Sequence, residues 1–205
     1  MTATKGIAAA RRPTTSFGGW PIVGWSAIVL VLMVAAILAA YGSGEGGLRT
    51  VVRATAQTSL LLFLGAFSAS SMHALWPTAA TRWLLANRRY VGVSFSVSHA
   101  LHLLAILTIA LRFPEVAISR VTAIGGGLGY VFIAAMVATS FDRTAAWLGP
   151  RRWHLLHATG MYYLWTIFFV SVLPRAITSA TYVPIALLLL AAIGLRVSVW
   201  IRRRA

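Results

Sequence analysis

Histidines are the residues of this chain best suited to chemistry, and four of its five fall into two pairs of identical spacing. His99 and His102 form one HxxH within RRYVGVSFSVSHALH, Arg88 to His102, while His154 and His157 form another in WHLLH, directly after Arg151 and Arg152. At this spacing both members of a pair rise on one side of a helix. An imidazole in an apolar segment loses the hydrogen bonds of water, so an ionisable residue there faces a bundle interior, a partner or a cofactor. Neutral imidazole is the usual protein ligand of haem iron, and a macrocycle held between two helices takes one histidine from each.

The elements that must position these histidines are membrane spans. Hydrophobic residues make up 59% of the 205 and only 10% are charged, against about 25% charged in a soluble domain; mean hydropathy is +0.81. The net charge of +15 does not mark a nucleic-acid binder, because the basic residues are scattered among the ends of apolar runs. The three acids, Glu45, Glu115 and Asp142, all fall at expected loop positions. Ion-coupled transport and paired-carboxylate catalysis need acids within the site, so both are excluded. The absence of cysteine excludes disulfides, iron–sulfur clusters, thiolate nucleophiles and thioether-linked haem.

An all-α bundle of six transmembrane helices is expected over residues 20–201, between a cytoplasmic amino-terminal tail, 1–19, and a basic carboxy-terminal tail, 202–205. The run Trp20 to Tyr41 is longer than a signal-peptide core and reads as a retained span. Five further charge-free intervals follow, between Arg53 and Arg82, Arg89 and Arg112, Arg120 and Asp142, Arg152 and Arg175, and Arg175 and Arg196. Each approaches the ~20 residues that cross a bilayer. With both termini inside, only Arg49, Arg53, Arg112, Arg120 and Arg175 lie outside, and the positive-inside rule favours that orientation. Gly125, Gly126, Gly127 and Gly129 read as close helix packing, since neither a preceding strand nor a following lysine makes them a nucleotide loop.

His102 falls deep in the third span, and His99 one turn shallower. His157 lies near the start of the fifth, with Gly160 expected to leave room beside it for a flat ring. By residue count His157 stands roughly 6 Å shallower than His99 at ~1.5 Å per residue, which favours the pairing His99 with His157 over His102 with His157. His73, near the cytoplasmic end of the second span, is a weaker ligand candidate, and His154 reads as interfacial. Arg88, Arg89, Arg151 and Arg152 are positive-inside anchors that could also meet haem propionates. Hydrogen-bonded histidines in a haem-free scaffold, assembly subunit or small permease form the rival reading.

At these residues the sequence resembles the ferric reductase-like transmembrane domain, shared by ferric reductases, NADPH oxidases and the MsrQ membrane subunit. The resemblance rests on Arg88, Arg89, Gly92 and His102, and on ATSFDRTAAWLGPRRWHLLH from Ala138 to His157, over about residues 50–175. It implies b-type haem, one or, with His73 recruited, two, and electron transfer across a bacterial inner membrane. Val170 stands where that family usually has a further histidine, which leaves His102 without its expected outer partner. No flavin or nicotinamide domain is legible in the sequence, so a separate donor, a flavoprotein or quinol, is expected. The acceptor would be a protein or chelated metal on the outer side.

Overall fold

The computed structural model describes residues 18–116 and 119–204; most of the expected amino-terminal tail, with Lys5, Arg11 and Arg12, lies outside them. The described residues are helical and contain no strand: α1 (Trp20–Tyr41), α2 (Glu45–Leu75), α3 (Ala79–Arg112), α4 (Arg120–Ala138), α5 (Asp142–Leu148), α6 (Pro150–Thr178) and α7 (Val183–Arg202). Local chemistry sets their starts. Thr78 and Thr81 exchange side-chain and backbone bonds in a capping box that opens α3, and the Ser119 hydroxyl accepts from the Thr122 N–H to open α4. Pro150 begins α6 behind Gly149, whose φ of 79° suits a residue without Cβ.

Five helices, α1, α2, α3, α6 and α7 with the short turn Ala180–Tyr182, are long and apolar enough to cross a membrane. A sixth candidate pairs residues 122–138 of α4 with α5, bent by 106° across the break. Arginines used as sequence boundaries lie inside helices: α2 takes in Arg53, and α3 takes in Arg82 and Arg89. Arginine interrupts a hydropathy run without interrupting a helix, because it is a good helix former whose long stem lets the charge reach the interface.

The core gathers Phe63 and Phe67 of α2, Phe95 of α3, Met136 of α4, Leu164 of α6 and Leu189 of α7. Helix α1 packs on α2 and α3 and buries only Leu30. Val29, Val31 and Leu32 face outward, as a lipid-facing helix requires. Within the glycine cluster, Gly125 and Gly129 face α6, where an added Cβ would meet Ile167 and Leu164 at 3.5 Å; Gly126 and Gly127 face open space. Gly160 makes the complementary approach from α6. A Cβ there would stand 2.9 Å from Met136 Sδ and 3.3 Å from Phe132, so the room expected for a flat ring is filled by α4.

The ends of the helices are tied in two groups. At one end the Gly19 N–H donates to Asn87 Oδ1 at 2.9 Å, and the Trp20 ring stacks on Phe141 and meets Tyr90 edge-on. At the other, Arg112 donates to the Ser43 carbonyl in the turn between α1 and α2.

Candidate cofactor cavity

A cavity of about 450 Å³ opens at the end that holds Trp20, Arg89 and Phe141, within the size range of cofactor pockets. Its inner walls are apolar: Phe63, Ala66 and Phe67 of α2, Gly92, Val93 and Phe95 of α3, and Met136 and Met161. Arg88 and Arg89 of α3, His154 and His157 of α6, and Arg196 of α7 supply the polar part. Arg88 donates to Ser70 Oγ at 2.8 Å, and Arg89 forms a 2.7 Å ion pair with Asp142. Arg89 Nε is buried without a partner. Arg151 and Arg152 are exposed on the first turn of α6 and do not line this space.

His157 is the ligand candidate that reaches the cavity. Its ring stacks on Trp153 with centroids 4.1 Å apart, and its Nε2 lies 3.0 Å from Thr139 Oγ1. The Thr139 hydroxyl donates to the Ala135 carbonyl at 2.8 Å, so it accepts from His157. That assigns the imidazole proton to Nε2 and leaves the Nδ1 lone pair open. The Trp153 indole in turn donates to the Thr139 carbonyl, fixing this corner of α6 against the end of α4.

The remaining candidates lie elsewhere. His102 faces α2, where Nδ1 donates to the Val52 carbonyl at 3.0 Å and stands 3.2 Å from Thr55 Oγ1. His73 bonds Thr81 Oγ1 at 3.2 Å, tying the end of α2 to the start of α3. His99 is enclosed by Phe95, His102, Tyr130 and Phe168, with ring centroids 4.9 to 5.9 Å away, and its buried Nδ1 has no partner. Among the described residues no group of three or more metal-ligating side chains occurs.

Two independent helices measure the height between His99 and His157. His99 touches Phe168, about 16 Å further along α6 than His157, and touches Tyr130, about 14 Å along α4 from the Thr139 that bonds His157. A metal–imidazole bond is about 2 Å, so one iron cannot join the two. The expected offset of roughly 6 Å was too small, because it took both helices to begin at the same level of the bilayer. Val170 is 57% exposed, on the outer side of α6. A histidine there would not face His102.

Arg196, which in the sequence only closes the last charge-free interval, stands in the cavity wall. Its guanidinium donates to the Phe67 carbonyl at 2.8 Å and to Tyr162 Oη at 3.2 Å, and lies over both rings. The available signal was depth, since α7 runs about 9 Å beyond it. Helices, hydropathy and buried polar contacts together define a multi-pass helical membrane protein with an amphipathic cavity open at one end. No known family, no curated protein and no solved structure matches this chain.

Proposed function

We propose that this chain is a b-type haem protein of the membrane electron-transfer kind, similar to ferric reductase-like or MsrQ-like subunits. It would cross a bacterial inner membrane six times with both termini inside. The observation that carries this reading is the cavity itself, with His154 and His157 on its α6 wall, an apolar interior and arginines at its mouth. The residues fit one haem better than two. His157 would hold the iron, while Gly92 and Ala66 are the small residues among the phenylalanines of the α2 and α3 walls. Arg88 and Arg89 would meet the propionates, and the unpartnered Arg89 Nε is a donor that such an acid satisfies. Around His99 the space is filled by aromatic rings, so neither it nor His102 takes part in this site.

When bound, haem supplies one-electron chemistry between ferric and ferrous iron. The chain's own residues then bind, orient and enclose it: Thr139 and Trp153 hold the His157 ring, and Phe63, Phe67 and Phe95 exclude water from the inner end. Electrons would come from a separate flavoprotein or quinol, and the acceptor would be a protein or chelated metal on the outer side.

A reduced-minus-oxidised visible spectrum of the purified protein, with haem quantified as its pyridine complex, tests this reading. One haem per chain is expected, severely reduced in His157→Ala and retained in His102→Ala. Absence of haem after expression with ample haem supply, or full retention in His157→Ala, overturns it. A second reading, a haem-free scaffold or small permease, is favoured by the hydrogen bonds that already engage His73, His102 and His157. Under it no stoichiometric haem exists to lose.

A further inference from the structure

Three guanidinium groups line one cavity with a single carboxylate between them. Arg88 and Arg89 come from α3 and Arg196 from the far end of the chain, and among the described residues only Arg89 has an anionic partner here, Asp142. That partner is a poor permanent one, since the Asp142 side chain is 94% exposed at the cavity mouth. Exposed ion pairs of this kind contribute little. Arg196 rests on neutral groups, the Phe67 carbonyl, the Tyr162 hydroxyl and two ring faces. Arg89 Nε is a buried donor without an acceptor among the described residues, which a bound acid would satisfy.

We propose that Arg88, Arg89 and Arg196 form an acid-binding site whose ligand is an amphipathic anion. Its carboxylate or phosphate sits among the three guanidiniums, its apolar body lies against Phe63 and Phe95, and it displaces Asp142 from Arg89. The guanidinium fork accepts both kinds of acid. Haem and an anionic phospholipid share that chemistry. The site needs no iron and does not depend on ligation by His157.

Iron-free protoporphyrin IX isolates the acid from the metal, and its dimethyl ester removes the acid. Binding of each to the detergent-purified full chain is read by quenching of tryptophan fluorescence. In parallel, phosphatidylglycerol and phosphatidylcholine are compared by native mass spectrometry. Wild type should prefer at least one acidic ligand over its neutral counterpart, and Arg196→Gln should weaken the acid about tenfold while sparing the neutral compound. Asp142→Asn should strengthen the acid, because Arg89 loses its competitor. Arg196→Lys keeps a cation and should retain part of the preference, which guards against reading a folding defect as lost binding. Preference for the porphyrin diacid assigns carboxylates as the ligand; preference for phosphatidylglycerol alone assigns a lipid. Equal binding of acid and neutral compound in both pairs, or an undiminished preference in Arg196→Gln, overturns the proposal. A positive porphyrin result beside haem-free purified protein would sink the haem reading and leave this site standing.

Discussion

At the scale of single residues, adjacent glycines can have opposite tolerance. A Cβ on Gly47 would fall 1.8 Å from the Gly42 carbonyl oxygen, whereas one on Gly46 meets nothing within 4 Å. Backbone cannot move aside as a side-chain tip can, so Gly47→Ala should open the turn between α1 and α2 and lower stability by about 1–3 kcal/mol, with Gly46→Ala near neutral. Thermal unfolding of both variants in one detergent checks the contrast. Gly160 is intermediate, because its nearest neighbour is the thioether of Met136. Gly160→Val should separate α6 from α4, and restoring room with Met136→Ala should recover part of the loss. These close approaches have no sequence signature, since GGG in α4 and EGG in α2 look alike.

Between elements, α2 and α3 are joined by a polar seam rather than by apolar packing alone. Ser59 donates to Ser98 at 2.9 Å, Ser98 to the Thr55 carbonyl at 3.3 Å, and His102 to the Val52 carbonyl at 3.0 Å. Thr55, Ser59 and Ser98 are fully buried. Small side chains let two helices approach closely, and each bond relieves a polar group of exposure to hydrocarbon. Double-mutant cycles within membranes average about 0.6 kcal/mol per such bond, and the Ser59→Ala with Ser98→Ala cycle should return a coupling of that order. A coupling near zero would show the seam to be mere small-residue packing. The serines and histidines of VSFSVSHALH are visible in the sequence; which of them faces α2 depends on the rotation of α3, and periodicity alone does not give that.

For the whole molecule, the proposed six-span arrangement with both termini inside is directly measurable, because the sequence has no cysteine. Single cysteines at Gly44 and Glu115 should react with an impermeant maleimide from outside intact cells. Cysteines at Pro77 and Arg204 should react only after permeabilisation. Labelling of Gly44 and Pro77 from the same side would refute the six-span arrangement.

Composition and charge placement were enough to determine a helical multi-pass protein, because burying backbone in hydrocarbon leaves helices as the economical solution for runs of this length. The HxxH pairs and arginine-led segments likewise marked α3 and α6 as helices that carry paired histidines. Only tertiary structure decided what meets what. It set the heights that part His99 from His157, filled the space beside Gly160 with Met136, and brought Arg196 into one cavity with Arg88. Those outcomes depend on the rotation and axial shift of one helix against another. Interhelical packing fixes both, and a hydropathy pattern, which records only how apolar each segment is, contains neither.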